Sequence, residues 1–223
     1  MALTTRWIGI LLLFGQLVSA QDSVLLTKNF QFTDGIYLNF EDLQNNKPTF
    51  AWEEIEATIF TNPQTLLTQI SSISLPDGTN NIALPTDRVF AISMAGVPYL
   101  QINADESNKD LATFAALKVR GKLCYYGFPS IETKAIEMHA FNPKNGLPFR
   151  TSTIEREEEV FVEKLLDFET GETVDFTVAN FINRISDDPK LIETIRLMPE
   201  VDRQSKLFKC LLIYDDRNHY YFK

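Results

Sequence analysis

Histidine and cysteine are both scarce in this chain of 223 residues, which contains two of each. The only histidines are His139 and His219, and neither belongs to an H-E-x-x-H pair. The sequence also lacks C-x-x-C and G-x-S-x-G, so the local signatures of zinc, redox and α/β-hydrolase sites are missing. A Ser-His-Asp triad is defined by geometry and needs no motif, but it would have to use one of these two histidines. We therefore assign no catalytic, cofactor-binding or metal-binding residue, and we expect a protein that is not an enzyme.

Basic residues are outnumbered, with 21 Lys and Arg against 30 Asp and Glu, which gives a formal net charge of −9. An acidic surface repels nucleic acid and anionic membranes. Lys118, Arg120 and Lys122 alternate along the chain, and we expect them to form a solvated face rather than a basic patch. The composition thus predicts no nucleic-acid partner.

Long apolar runs are missing after the first residues of the chain. Residues 7–14 are apolar, Arg6 precedes them, and Val18-Ser19-Ala20 ends in a small residue. This pattern predicts a signal peptide over residues 1–20, because the run is too short for a permanent span. An uncleaved anchor is the alternative. We expect export to the periplasm or the cell exterior, with no transmembrane segment after cleavage.

The mature chain, residues 21–223, has a composition typical of a globular domain, with 44% hydrophobic and 23% charged residues. Because Arg6 is removed with the signal peptide, the formal net charge changes from −9 for the whole chain to −10 for the mature chain. Its length fits one globular domain. Two lobes are the alternative, and the Asn-Pro-Lys-Asn-Gly segment at residues 142–146 is then the candidate hinge.

Cys124 and Cys210 both have apolar neighbours in the sequence. In an exported protein such a pair suggests a disulfide. Two buried free thiols are the alternative, and the size of the chain favours them because a core this large needs no covalent link.

Short strands separated by turns are predicted for most of the chain. We predict strands over residues 24–32 and 36–38, and hairpins over residues 89–102, 114–126 and 161–176, each with a glycine in its turn. The acidic run at residues 155–159 is interpreted as a solvated edge.

Helices are predicted mainly near the end of the chain. Asn39 starts a short helix that Pro48 stops, and Thr177 and Asp188-Pro189 start two later helices with apolar residues at helical spacing. Residues 207–214 have helical periodicity, although a strand is also compatible with Leu212-Ile213-Tyr214. Strands first and helices late predict an α+β fold, an antiparallel strand-rich body with helices concentrated in the C-terminal third.

Three phrases resemble a group of exported proteins from Bacteroidota that have no assigned function. Residues 35–48 read G-I-Y-L-N-F-E-D-L-Q-N-N-K-P. Residues 89–127 contain a predicted strand, a glycine turn, a Tyr-bearing strand and then G-K-L-C-Y-Y. Residues 165–171 read L-L-D-F-E-T-G, followed by D-P-K-L and Y-D-D-R-N. The resemblance covers most of the mature chain. It implies an exported protein of a single architecture, and it supplies no activity, cofactor or site residue.

Two polar clusters are candidate cation sites. Asp215 and His219 would share one face if the last helix continued, with Asp216 beside them, and this spacing suits a divalent metal. The simpler interpretation is an exposed chain end. Residues 105–110 faintly resemble a calcium loop but lack its glycine, so we interpret them as a polar loop.

Aromatic residues cluster early in the mature chain: Phe30, Phe32, Tyr37, Phe40, Phe50 and Trp52. Exposed rings stack on sugars, but alternating strands place half of such rings inward, so we expect them in the core. The aromatic residues Tyr220, Tyr221 and Phe222 are expected to dock on their own domain.

The sequence therefore predicts an exported, non-enzymatic interaction or envelope-associated module, whose partner is a protein or an envelope component. A periplasmic or extracellular protein that binds a small ligand or a glycan is the alternative. An enzyme with an unfamiliar site is the third hypothesis. Trp52 lying flat and exposed would favour a sugar-binding protein, and a polar cleft holding His139 would favour an enzyme.

Overall fold

A computed structural model of the chain describes residues 24–65, 67–77, 80–103, 111–141 and 143–222. The predicted signal peptide and the polar loop at residues 105–110 lie outside these ranges. The fold is dominated by antiparallel sheets, and its helices lie mostly in the C-terminal part, as the α+β prediction requires. Within the described ranges no helix is both long enough and apolar enough to cross a membrane.

The strands form two sheets. Their bounds are β1 Gly35–Tyr37, β2 Glu56–Thr61, β3 Leu67–Asp77, β4 Asn80–Ala83, β5 Ala91–Met94, β6 Val97–Ile102, β7 Ala112–Ala116, β8 Leu123–Phe141, β9 Pro148–Asp167 and β10 Thr173–Asp175. The larger sheet has the order β1-β5-β6-β7-β3-β2, and β4 pairs with β3. The smaller sheet has the order β10-β9-β8. Every pairing is antiparallel.

The helices are α1 Phe40–Gln44, α2 Val178–Arg184, α3 Pro189–Leu197 and α4 Glu200–Arg217, with 3₁₀ turns at Trp52–Glu54 and Thr86–Arg88. The starts of α1, α2 and α3 follow the predicted caps, whereas α4 begins at Glu200, for which no cap was predicted. The side chains of Asn39, Thr177 and Asp188 accept hydrogen bonds from Asp42, Asn180 and Leu191 backbone N–H groups, respectively. The C-terminal segment is helical from residue 200, so the strand alternative for residues 212–214 is wrong.

Three apolar clusters stack through the body in layers. Strand alternation places Ile36 and Ile92 on the outer face of the larger sheet, and Tyr37 and Ala91 on its inner face. The inner face packs on Cys124, Tyr126 and Phe128 of β8. The other face of the smaller sheet packs on α2, α3 and α4 through Leu123, Tyr125 and Leu165. The smaller sheet is thus buried on both faces where it lies within the body.

The predicted hairpin over residues 89–102 is present as β5 and β6. Its turn residues, Ala95 and Gly96, have φ angles of 51° and 72°, the left-handed pair that a two-residue hairpin needs. The hairpin over residues 161–176 is also confirmed, with Thr173 opposite Leu166.

Two strand predictions are wrong. Residues 114–126 do not form a hairpin: β7 pairs with β6 and β3, β8 pairs with β9, and only Val119 and Tyr125 form an isolated bridge. Residues 24–32 form no strand, and only Leu25 bridges to Tyr221. For residues 114–126, longer-range strand partners replace the pairing between sequence neighbours.

The aromatic residues pack as predicted. Phe32 and Tyr37 are buried, and Phe30, Phe40, Phe50 and Trp52 pack against the clusters. The C-terminal tail docks on its own domain, where the ring of Phe222 stacks on Phe30 at 4.5 Å between centroids. The two cysteines are free and buried, in different clusters on opposite faces of the smaller sheet, which contradicts the disulfide alternative.

Candidate functional site

The outer halves of β8 and β9 leave the body as a two-stranded hairpin, which we call the arm. On β8 every side chain from residue 131 to residue 141 is exposed, and on β9 every described side chain from residue 148 to residue 159 is exposed. At about 3.4 Å per residue the arm is roughly 35 Å long. Because successive side chains point to opposite faces, uniform exposure means that both faces of the arm lie in solvent.

The segment at residues 143–146, part of the candidate hinge, lies at the tip of the arm. It connects β8 to β9, and these two strands pair with each other along their length. Gly146 has a φ of 68°, in the left-handed region that suits a turn. Asn142 lies outside the described residues. The acidic run at residues 155–159, interpreted as a solvated edge, lies within the exposed half of β9.

The strand register sorts the arm into two chemically different faces. The first, the Ile136 face, carries five cross-strand pairs: Glu132 with Glu158, Lys134 with Arg156, Ile136 with Ile154, Met138 with Ser152, and Ala140 with Arg150. The second, the acidic face, carries Ile131 with Glu159, Thr133 with Glu157, Ala135 with Glu155, Glu137 with Thr153, and His139 with Thr151. Four carboxylates and no Lys or Arg occupy the acidic face.

The Ile136 face exposes apolar area at the middle of the arm. Ile136, Met138 and Ile154 are 38%, 51% and 43% exposed, although such side chains are usually buried. This face is continuous with the body face of β8 that carries Cys124, Tyr126 and Phe128. The arm therefore extends a core-forming face out into solvent.

The cross-strand pairs contribute little to the stability of the arm. Glu132 faces Glu158 and Lys134 faces Arg156, and like charges directly opposite each other are unfavourable. One diagonal ion pair, from Lys134 Nζ to Glu158 Oε2 at 2.7 Å, offsets part of this repulsion. Both of its partners are largely exposed, so its contribution is small.

Among the described residues, neither backbone edge of the arm has a neighbouring strand. β10 pairs with β9 only opposite residues 164–166, and among the described residues no strand other than its partner pairs with either arm strand between residues 132 and 158. Such an edge presents N–H and C=O groups that another chain can pair with.

The two histidines are exposed and lie in different parts of the structure. His139 lies on the arm, where its Nδ1 is 3.1 Å from Thr151 Oγ1. His219 follows the end of α4 at Arg217 and contacts the ring of Tyr221. Because the helix ends before His219, the i and i+4 arrangement with Asp215 does not form. No cluster of three His, Cys, Asp or Glu side chains able to hold a metal occurs in the part of the chain that the structure describes.

Asp215 instead stabilises the turn that starts β8. Its Oδ1 accepts a hydrogen bond from the backbone N–H of Leu123 at 3.0 Å, and its carboxylate lies against Gly121, where a Cβ atom would overlap it. Burial raises the pKa of Asp215 to about 7. No hydrogen-bond partner of Oδ2 lies among the described residues. The contacts of Asp215 thus link the last helix to the start of β8.

The expected solvated face of Lys118, Arg120 and Lys122 is wrong for two of the three residues. Arg120 is partly buried, and its Nη1 donates to the carbonyl oxygen of Phe30 at 2.6 Å. Lys122 is also partly buried, and its Nζ donates to Asp187 at 2.8 Å. Asp187 in turn accepts from the Tyr214 hydroxyl at 2.8 Å. These cations join the segment before β8 to distant parts of the body.

Trp52 does not lie flat on the surface. It is half-buried against the outer cluster of the larger sheet, and its indole N–H donates to the carbonyl oxygen of Ser93 at 2.8 Å. Trp52 therefore packs at the edge of the core, and only a small part of its ring is accessible for stacking on a sugar.

A shallow groove of about 310 Å³ lies at the base of the arm. Its polar lining includes Glu132, Glu163 and Asp175. The Tyr125 hydroxyl donates to Glu163 at 2.6 Å, and burial together with this carboxylate raises the pKa of Tyr125. This hydrogen bond links β8 to β9 within the body, on the core side of the exposed arm.

The arm was not predicted from the sequence. The available signal was a short alternation of apolar and polar residues from Ile136 to Ala140, followed by Gly146 and a largely polar run to Glu159. It was weak because both faces carry charges, so neither shows the apolar stripe that indicates a half-buried strand. Comparison with protein-family models, with curated proteins and with solved structures gives no match to this chain.

Proposed function

We propose that this chain is an exported, non-enzymatic interaction module that binds its partner through the arm. The observation that carries the proposal is the solvent exposure of both faces of the arm, together with the absence of strand neighbours within the described ranges. The resemblance to exported proteins of Bacteroidota supports the exported address.

Energetics favour a bound state for such an arm. An isolated two-stranded hairpin is marginally stable in water, and more strands or a packed face are needed to stabilise it. The arm has two like-charge pairs and one exposed ion pair, so its own side chains add little. A partner that covers one face or one edge supplies the missing contacts.

The exposed side chains also fit a protein partner. Ile136, Met138 and Ile154 on the arm, and Phe141 and Leu147 near its tip, are all exposed. Clustered apolar side chains with charged neighbours are typical of the centre and rim of protein interfaces. A glycan-binding function has less support, because Trp52 is half-buried and hydrogen-bonded to Ser93.

Photo-crosslinking from single positions tests the proposal. A photoreactive amino acid is placed at Ala135 or Met138 on the arm, and at Lys209 on the exposed surface of α4 as the control, in the cells that make the protein. Because Ala135 and Met138 lie on opposite faces of the arm, we expect discrete covalent adducts from at least one of these two positions and none from Lys209. Adducts from Lys209 alone, or none from any position, would contradict the proposal.

A shortened arm provides the matching loss-of-function variant. Residues 132–158 are replaced by Asn-Gly, which joins Ile131 to Glu159 across their observed register. Every described side chain that is removed is exposed, so the body should unfold at nearly the same temperature. The variant should lose the bound partner while retaining its thermal stability and circular dichroism. Retention of the partner by this folded variant would overturn the assignment of the arm.

A further inference from the structure

The charges along the Ile136 face are ordered so that they face opposite charges when a second copy of the same face runs in the opposite direction. From base to tip its cross-strand pairs are acidic, basic, apolar, apolar with polar, and small with basic. The apolar pair Ile136 and Ile154 lies at the centre of this order. Glu132 and Glu158 lie two cross-strand pairs from this centre toward the base, and Arg150 lies two pairs from it toward the tip.

We infer that the arm binds a second copy of this chain, with the two Ile136 faces stacked and the arms antiparallel. The inference rests on the proposed function of the arm and names its partner. A two-fold axis through the Ile136–Ile154 pair brings each of these side chains against its own copy. The same axis places Arg150 of each copy opposite Glu158 of the other, and Met138 opposite Lys134.

Stacked sheets lie about 10 Å apart, and their side chains then interdigitate. The apolar pairs at the centre become covered by equivalent residues, and the opposite charges lie toward the ends. Such an interface is isologous and closes with two copies. It also suits the length of the arm, because Ile136 lies about midway between Ser130 at the base and Phe141 near the tip.

The acidic face does not permit the same association. Glu137, Glu155, Glu157 and Glu159 all lie on it, and no Lys or Arg lies among them. Stacking two such faces would bring eight carboxylates together, whereas the Ile136 face carries three cations and two carboxylates. Electrostatics therefore selects one of the two faces for contact with a second copy.

Sedimentation equilibrium of the purified chain tests this inference with a matched pair of variants. Ile154→Lys introduces a charge at the two-fold axis, and Thr153→Lys introduces the same charge one residue away on the acidic face. Both positions are exposed, so neither variant should unfold the body. We expect a monomer–dimer equilibrium in the native chain, a dissociation constant raised at least about tenfold by Ile154→Lys, and a change of less than about threefold for Thr153→Lys.

Cysteine crosslinking tests the register. Ile136→Cys should form a covalent dimer with a bismaleimide of about 10 Å span, and Ala135→Cys on the acidic face should not. The native chain is the background control, because Cys124 and Cys210 are buried. Equal crosslinking at both positions would overturn the stacked geometry.

The outcomes separate this inference from the proposed function. If the native chain stays monomeric while its arm crosslinks to a different protein in cells, the partner is not a second copy of this chain, but the arm is still an interaction surface. A dimer that Ile154→Lys does not weaken would overturn the Ile136 face as its interface. A monomer with no arm adducts in cells would overturn both proposals.

Discussion

Asp215 Oδ1 accepts a hydrogen bond from the backbone N–H of Leu123, which lies on a different element 92 residues earlier in the chain. This contact holds the last helix against the start of β8, the strand that becomes the arm. The carboxylate is buried between the helix and the turn at Gly121, and its ionisation is therefore coupled to the stability of the fold.

Replacing Asp215 by Asn should make stability less dependent on pH. Burial raises the pKa of Asp215 from 3.8 to about 7, so the folded state favours the protonated form. The native chain is thus stabilised by this group below about pH 4 and loses that stability as pH rises toward 7. We expect Asp215→Asn to gain relative stability over this window, by up to about 4 kcal/mol at pH 8.

Denaturant unfolding at pH 4, 6 and 8 measures this difference. Asp216→Asn is the control, because the adjacent Asp216 is exposed. A gap between native and Asp215→Asn that does not widen with pH would contradict the prediction.

Gly171→Ala should destabilise the body by about 2–4 kcal/mol. Gly171 has a φ of 79°, and an added Cβ would overlap the ring of Phe40. That ring is held by Phe90 and Phe168, at 6.0 and 5.7 Å between centroids, so it cannot move without disturbing the core. Gly146→Ala on the arm is the matched control.

Gly146 also has a positive φ, of 68°, but an added Cβ there meets no atom within 4 Å. Its substitution should therefore cost only about 1 kcal/mol of backbone strain. Comparing the midpoints of denaturant unfolding of both variants isolates the steric part of the effect. Equal losses in the two variants would show that the contact with Phe40 contributes nothing.

Phe222→Ala should lower the free energy of unfolding by about 3 kcal/mol. The ring stacks on Phe30 and contacts Phe32 and Phe168 edge-on, and the backbone N–H of Phe222 donates to Val24 at 2.9 Å. Tyr221→Ala is the control, because Tyr221 is 49% exposed and should cost less than about 1 kcal/mol. Thermal unfolding of both variants measures the difference, and equal midpoints would mean that the docked tail does not stabilise the body.

Thiol labelling should detect two free cysteines. In the native chain Cys124 should not react at neutral pH, because burial raises its pKa to about 12 and limits access. After unfolding without a reductant, both Cys124 and Cys210 should be labelled. Mass spectrometry counts the labels, and an unlabelled pair in the unfolded chain would indicate a disulfide.

Local chemistry made several elements predictable. The Ala95-Gly96 turn, the caps at Asn39, Thr177 and Asp188, and the helical spacing of Leu207, Leu211 and Tyr214 all act within a few residues. Each of these local patterns favours one backbone conformation, and the tertiary contacts of the folded chain are compatible with it. The burial of the early aromatic residues was predictable for the same reason, since strand alternation turns half of them inward.

Long-range pairing was not predictable. The turn at Arg120-Gly121 favours a hairpin, yet β7 and β8 lie in different sheets because each finds a longer antiparallel partner elsewhere. The candidate metal site at Asp215 and His219 was also decided by tertiary structure. Asp215 and His219 have ligand spacing in the sequence, but the helix ends at Arg217 and the buried carboxylate bonds to Leu123 instead.

The sequence by itself determined the Ala95-Gly96 turn, the starts of α1, α2 and α3, the acidic balance and the burial of the early aromatic rings, because these depend on side-chain chemistry and on neighbours a few residues apart. Only the tertiary structure decided that β8 and β9 continue beyond the body as an arm, and that Ile136 and Ile154 meet on one face of it. A strand with charges on both faces has no burial preference to fix its partner or its register. That choice is made by the body, where Leu123, Tyr125 and Leu165 anchor the same two strands in the core.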